Sequence, residues 1–220
     1  LQIRDRPEWR TVVGGSREYI KCLTKDYHHE IQTNRAVEQV WSDASGAYIK
    51  DRNGDVSRFN QVVMASHADQ TLNMLRSPSA DETKLLGTFA HQSNKAILHT
   101  DQSLMPKRKG AWSSWNYLSA RDNGQDSVCV TYWMNKLQNL NVDTDYFVTL
   151  NPSKLPNEDT ILRSFIYHHP VFDHHAMTAQ KRLWNLQGKQ RLWFCGSYFG
   201  YGFHEDGLQS GLAVAEALGS

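Results

Sequence analysis

The sequence predicts a mixed α/β (α+β) chain, and three observations carry that prediction. Leu192-Trp193-Phe194-Cys195 is an apolar run long enough for a buried strand. It stops at the bare turn Gly196-Ser197, and a glycine- and aromatic-rich loop then leads into a helix-length stretch, Leu208 to Leu218. Between residues 95 and 150 four strand-like segments follow one another with no long helix between them, the pattern of an antiparallel sheet. Asn53-Gly54, set between two short segments, is a two-residue hairpin signal.

In chain order, Tyr19, Ile20, Leu23 and Tyr27 recur at three- and four-residue spacing and predict an amphipathic helix over Arg17 to Tyr27. Ser16 is its expected N-cap and Glu18 lies in its first turn. The preceding Gly14-Gly15 reads equally well as an ordinary turn. Ala36 to Trp41, Ala47 to Asp51 and Val56 to Phe59 predict a three-stranded meander, and Asn60 to Ser66 a short buried strand. Ala68 to Arg76 and Asp81 to Phe89 are two short helices separated by Ser77-Pro78-Ser79. The strands of the sheet are Lys95 to His99, Ala111 to Tyr117, Ser127 to Met134 and Tyr146 to Leu150, with Phe165-Ile166-Tyr167 as a fifth. Ala176 to Asn185 is a helix. In the last helix Leu212, Ala215 and Leu218 share one face, and Ala213 and Ala217 keep it slim.

Composition limits the function classes. With 220 residues, 40% hydrophobic and 11% aromatic, the chain can build a substantial core. Twenty-four basic and 23 acidic side chains leave a net charge of +1, which lacks the bulk field that nucleic-acid binding requires. Lys107-Arg108-Lys109 beside Pro106 reads as a solvated loop. Cys22, Cys129 and Cys195 are odd in number and far apart, supporting neither a disulfide framework nor a zinc cluster, and point to a reducing, cytoplasmic setting. No apolar run approaches the ~20 residues that span a bilayer, and no signal-peptide pattern opens the chain.

Several residues could carry chemistry. The strand, glycine loop and slim helix at the C-terminus can offer amides and a helix N-terminus to the polar edge of a ligand. Trp112, Trp115, Tyr117, Tyr132 and Trp133 suit either a β core or the wall of a cavity for a flat or long apolar substrate. His99 with Asp101 could form a general-base pair, and His204 with Glu205 could tune a bound ring. His168-His169 and His174-His175 bracket Pro170-Val171-Phe172-Asp173; adjacent histidines point apart, so no metal site is expected. A Gly-x-Ser-x-Gly elbow is absent, which argues against a serine hydrolase.

Phe194-Cys195-Gly196-Ser197 followed by Gly202-Phe203-His204-Glu205-Asp206-Gly207-Leu208-Gln209-Ser210-Gly211 resembles the C-terminal signature of the flavin-containing amine oxidase superfamily, which includes monoamine oxidases, phytoene desaturases and protoporphyrinogen oxidase. The GFHEDG wording resembles a bacterial branch of NAD/FAD-binding, amine-oxidase-like proteins. Trp9 to Ser16 resembles the family's tryptophan, small-residue, Gly-Gly approach to a helix. The resemblance implies noncovalent FAD and hydride transfer to flavin N5 from an apolar or amine-bearing small molecule. Gly196 and Ser197 would face the pyrophosphate and ribityl chain. Gly202, Phe203 and His204 would lie along the isoalloxazine, and amides near His204 and Gly207, with Leu208, at its pyrimidine edge. Val37 would present its backbone to the adenine, Ala65 would pass close to the dinucleotide, and Lys95 could hold a water at the ring. Two positions depart from the family pattern: Tyr198 replaces a common acidic residue, and Asp206 stands where many relatives have glycine.

By the same resemblance, residues 1–67 form part of an FAD-binding, Rossmann-like domain that includes the first helix. Residues 68–185 form a substrate domain whose antiparallel sheet faces the flavin, and 186–220 return to the FAD domain. The family's opening strand, Gly-x-Gly-x-x-Gly turn and helix are not found here, so an N-terminal FAD-binding segment is expected as a further partner. The competing expectation is a substrate or interaction module that does not bind FAD by itself.

Overall fold

The structure, a computed structural model, describes Glu8, residues 10–122 and residues 125–219, so Trp9 lies outside it. In chain order, helix α1 (Ser16–Thr24) precedes strands β1 (Val37–Ser42), β2 (Ala47–Asp51), β3 (Val56–Phe59) and β4 (Val62–Met64). Helices α2 (Ala68–Met74) and α3 (Ala80–Leu86) lead to β5 (His91–His99), β6 (Trp115–Asp122) and β7 (Gln125–Trp133). After the single turn α4 (Met134–Leu137) come β8 (Phe147–Leu150), β9 (Ile161–Pro170), α5 (His174–Leu183), β10 (Leu192–Phe194) and α6 (His204–Leu218). The fold is mixed α/β with antiparallel sheets, as the sequence predicts. No helix among the described residues is long and apolar enough to cross a membrane.

The chain divides into two compact units, residues 1–31 with 93–167, and residues 32–92 with 168–220. The divisions fall inside β5 and β9, whereas the composition of the sequence changes at residues 67 and 185.

The first unit is built on a five-stranded sheet ordered β6-β7-β8-β5-β9 and antiparallel at β6–β7, β7–β8 and β8–β5. Met105, Trp112 and Phe147 are buried together, with Trp133 packed edge-on to Trp112 at 5.2 Å. The indole N–H groups of both tryptophans are satisfied, donating to the Pro106 carbonyl (2.8 Å) and to Asp145 Oδ1 (2.9 Å). β6 starts at Trp115, later than the sequence predicts, because Asn116 Oδ1 accepts from the Ser113 amide and folds 113–114 into a turn. α1 begins at Ser16 with Gly15, not Ser16, at its N-cap position, and ends at Thr24. It buries no residue, and Tyr19, Ile20 and Leu23 are exposed. Its periodicity made a helix without covering its apolar face, and it groups with the sheet unit, not with the meander.

Within this unit His99 is fully buried, its Nδ1 accepting the Asp101 N–H (3.1 Å) while Nε2 faces Thr149 Oγ1 (2.7 Å). An imidazole whose Nδ1 accepts is neutral, so Nε2–H is the donor to Thr149. Burial, against the opposing pull of Asp101 and its amide, holds the His99 pKa below 6.5. As pH falls below that value the unfolded chain binds a proton that the folded chain resists, so stability is lost from about pH 6.5 downward toward the folded pKa. Urea midpoints recorded from about pH 7.5 to about pH 5 should fall less steeply in His99→Gln than in the parent. Equal slopes would mean that His99 titrates alike in both states.

In the second unit β1, β2 and β3 form an antiparallel meander, with Gly54 (φ +92°) in the β2–β3 turn and the buried Asp51 Oδ1 accepting the Asn53 and Asp55 amides at 2.9 and 3.0 Å. Arg35 pairs with Asp51 from the side. The β1–β2 register shifts between Val37 and Gln39, a bulge that changes how the strand runs beside Val37. Arg76 follows α2, stacks its guanidinium 3.5 Å over Trp41 and donates to Gln39 (2.8 Å), fastening α2 to β1. Val40, Met64, Leu86, Phe89, Leu183 and Phe194 lie at the centre of one apolar cluster drawn from the meander, α2, α3, α5 and β10.

Candidate functional site

Val37, Ala65, Gly196, Ser197, Gly202, Phe203, His204, Gly207 and Leu208 all fall within the second unit. Their framework is the pair β4–β10, which is parallel, Leu192 beside Val62 and Phe194 beside Met64, with the Cys195 amide donating to the Met64 carbonyl (3.0 Å). Two parallel strands therefore finish level with each other; the next residues out are Ala65 and Cys195, and Gly196 follows. The carboxyl ends of parallel strands open the crevice in which α/β proteins take ligands. Gln187 braces β10 on its other side, donating to the Phe194 carbonyl (2.7 Å) and accepting its amide (2.8 Å).

Gly196 sits at φ +151°, and a Cβ there would lie 2.7 Å from the Tyr198 ring and 3.6 Å from the Ser66 carbonyl. It is the Tyr198 ring that requires glycine here, while the Ser66 carbonyl lies at ordinary contact distance. A groove of about 640 Å³ runs past this point, lined by Val37, Glu38, Arg52, Ser66, Gln70 and Met74 among others. Sequence reading found Val37 but missed Ser66, Glu38 and Arg52. Ser66 was within reach, being the neighbour of Ala65.

The glycine loop turns back on Ser197. The Gly202 amide donates to the Ser197 carbonyl (3.1 Å), and a Cβ on Gly207 would lie 3.8 Å from the Ser197 nitrogen. Gly202 has φ +90°, and a Cβ on it would meet the Phe172 ring at 2.9 Å. Gly196, Gly202 and Gly207 thus surround one residue. α6 starts at His204, four residues before the stretch predicted from the sequence, because Asp206 Oδ2 accepts the Tyr201 and Phe203 amides (3.0 and 2.9 Å) and closes the loop onto the first turn. Gly200 makes room for that carboxylate: a Cβ there would sit 2.1 Å from Asp206 Oδ1. Asp206 and Gly200 are a matched pair.

α6 docks on the loop by a hydroxyl, not by the Leu212, Ala215 and Leu218 face that the sequence suggested. Leu212 and Leu218 are exposed, and the buried residues are Ser210 and Val214. Ser210 Oγ accepts the Gly196 amide (2.9 Å) and lies within donating range of the Gly196 and Gly207 carbonyls (3.2 and 2.9 Å). Two expected donors are consequently in use. The Gly196 amide is held by Ser210, and the Gly207 amide bonds the Phe203 carbonyl (3.3 Å). Among the described residues no acceptor takes the Ser197, His204 or Glu205 amides. Phe203, Tyr201 and Leu208 are 69%, 70% and 53% exposed, leaving apolar side chains in solvent beside these open donors.

Tyr198 turns away from the loop surface into the core, against Phe89 (5.4 Å) and Phe199 (5.0 Å). Burial, and then the nearby Cys195 thiol, push its phenol pKa up, so it stays neutral. Tyr198 therefore occupies a packing position.

Asp101 meets His99 through its amide, and its carboxylate accepts the Ser103 and Asn157 amides (2.8 and 2.9 Å), so this buried pair holds loops together and is no general base. Glu205 bonds Gln209 (2.7 Å). Lys95 is exposed on β5 in the first unit. Of the five aromatics, Trp112 and Trp133 belong to the core, Tyr132 is half-buried on β7, and Trp115 and Tyr117, two apart on β6, line a groove of about 910 Å³ in the first unit with Arg10, Ser114 and Lys136.

No protein-family model matches the sequence, and no curated protein matches it. Solved structures do. A CLA-producing fatty acid isomerase from P. acnes aligns over 92% of this chain and 52% of its own, at TM-score 0.62 and 12% identity. Reduced UDP-galactopyranose mutase aligns over 94% and 52%, at 0.64 and 12%. A putrescine oxidase triple mutant, made in a redesign of cofactor binding, aligns over 94% and 53%, at 0.63 and 11%. At these identities the likeness is one of fold, and the chain spans about half the length of the structures it matches.

Proposed function

We propose that this chain is part of an FAD-dependent oxidoreductase of the amine oxidase and desaturase kind, with the second unit holding the flavin and the first unit binding an apolar or amine-bearing small molecule. The observation that carries the reading is the convergence of Gly196, Gly202 and Gly207 on Ser197, at the level end of the β4–β10 pair and beside the Val37–Ser66 groove. The fold likeness to a putrescine oxidase supports it.

The residues present fit the ring-side half of such a cofactor. Gly196 leaves space that a Cβ would fill against the Tyr198 ring, Ala65 is small and exposed, and Ser197, His204 and Glu205 supply unengaged amides. Glu205 and Asp206 set two carboxylates in the first turn of α6, which disfavours a phosphate there and suits the neutral, carbonyl-bearing edge of a ring. When bound, the flavin would supply a hydride acceptor, N5, for a substrate C–H bond. The chain's own residues hold and orient: Phe203 and Leu208 cover apolar ring surface, the three amides fix the polar edge, and the Val37–Ser66 groove takes the adenosine side. The Trp115–Tyr117 groove is the proposed substrate surface, with Arg10 and Lys136 at its edge. The reading includes a bacterial, cytoplasmic setting, in keeping with three free thiols.

Titrating the purified chain with FAD should quench flavin fluorescence saturably, with on the order of one FAD per chain. Fluorescence that stays unquenched while circular dichroism reports a folded chain would assign it instead as a substrate or interaction module that does not hold FAD.

A further inference from the structure

The second unit contains a side-chain cluster that the flavin reading does not use. His67 stands at the N-cap position of α2, Asp69 lies in that helix's first turn, and His91 opens β5. One ligand-type atom from each lies within 4.8 Å of the others, the one such group of His, Cys, Asp and Glu among the described residues. The two imidazoles stack at 4.7 Å with 12° between their planes. Nδ1 of His67 and Nδ1 of His91 are both buried without a hydrogen-bond partner. The His91 side chain is only 5% exposed, and its Nδ1 lies 3.2 Å from Asp69 Oδ1.

Buried polar atoms are nearly always satisfied, so two clustered imidazoles whose Nδ1 atoms lack a hydrogen bond, one of them 3.2 Å from the Asp69 carboxylate, call for a shared ligand. A single proton could serve one nitrogen; a cation can serve both. The 3.2 Å between His91 and Asp69 is close to the ~3.3 Å that ligand bonds of about 2.0–2.1 Å subtend at a tetrahedral angle. Two imidazole nitrogens with one carboxylate select a borderline divalent transition ion over Mg²⁺ or Ca²⁺, which take oxygen ligands.

We propose that His67 Nδ1, His91 Nδ1 and the Asp69 carboxylate bind one divalent transition-metal ion, with water completing the shell. The ion joins the start of α2 to the start of β5 inside the second unit. It is independent of flavin, and binding requires no activity to be observed.

The test uses the full chain, stripped with a chelator and dialysed. Adding Co²⁺ should give a saturable visible d–d absorption at about one ion per chain, displaced by Zn²⁺ and indifferent to excess Mg²⁺. His91→Ala and Asp69→Ala should each weaken Co²⁺ binding by more than about 100-fold, since losing even an outer partner of a ligand costs 10–100-fold. His174→Ala/His175→Ala, which removes two histidines outside the cluster, should bind like the parent. If His91→Ala fails to fold by circular dichroism, His67→Ala carries the same decision. The proposal is overturned if the folded parent takes up no Co²⁺ saturably, or if a folded His67→Ala or His91→Ala variant binds as the parent does.

Discussion

Phe194→Ala lowers the stability of the second unit by about 3–5 kcal/mol, the range for removing a fully buried phenylalanine. Phe194 has no exposed surface and ends β10, where Met64 lies beside it and Gln187 holds both of its backbone polar groups. Those bonds fix the strand, so the neighbours cannot simply close over the space, which places the loss toward the upper end of the range. Against a whole-domain stability of about 5–15 kcal/mol this is a large fraction. Urea unfolding followed by tryptophan fluorescence measures it, with Trp193 and Trp184 as reporters in this unit. A loss under about 1 kcal/mol would mean that β10 does not anchor the core.

Gly196→Val abolishes FAD binding under conditions where the parent binds, a loss of more than about 100-fold, or above about 2.7 kcal/mol. Its first added carbon would stand 2.7 Å from the Tyr198 ring at φ +151°, and its branches would enter the space shared with the Ser66 carbonyl. Tyr198 cannot yield cheaply, because it is buried against Phe89 and Phe199. The backbone would shift instead, and the level ending of β4 and β10 would be lost. Gly211→Ala is the control, as a Cβ there meets nothing within 4 Å; it should keep FAD binding and stiffen α6 by up to about 1 kcal/mol. Fluorescence titration of both variants, with circular dichroism to establish folding, gives the answer. A folded Gly196→Val that quenches flavin as the parent does would remove Gly196 from any cofactor role.

Much of the fold around the candidate site was legible because its markers are local. Asn53-Gly54 can turn only in a few ways, and the alternating segments beside it became β2 and β3. Leu192 to Cys195 was a continuous apolar run, and it became β10, which ends at Phe194, two residues before Gly196, with Leu192 and Phe194 buried and Trp193 half-buried. Residues that act through a distant partner were not legible. Asp206 looked like an intrusion in a glycine pattern until its match with Gly200 was seen, and Ser210 was passed over because a serine on a helix normally faces water. His91 is 24 positions beyond His67, a separation with no periodicity to flag it.

The sequence by itself determined which segments are helices and which are strands, since backbone preference and side-chain period act within a few residues. It also determined that a glycine loop would join the last strand to the last helix. Only the tertiary structure decided that β4 and β10, some 130 residues apart, run parallel and end together, that α1 groups with the five-stranded sheet, and that α6 meets the loop through Ser210 while its leucines stay in solvent. Those outcomes depend on which surfaces exclude water from one another and which polar atoms must find partners once they do. Spacing along a chain does not encode that choice.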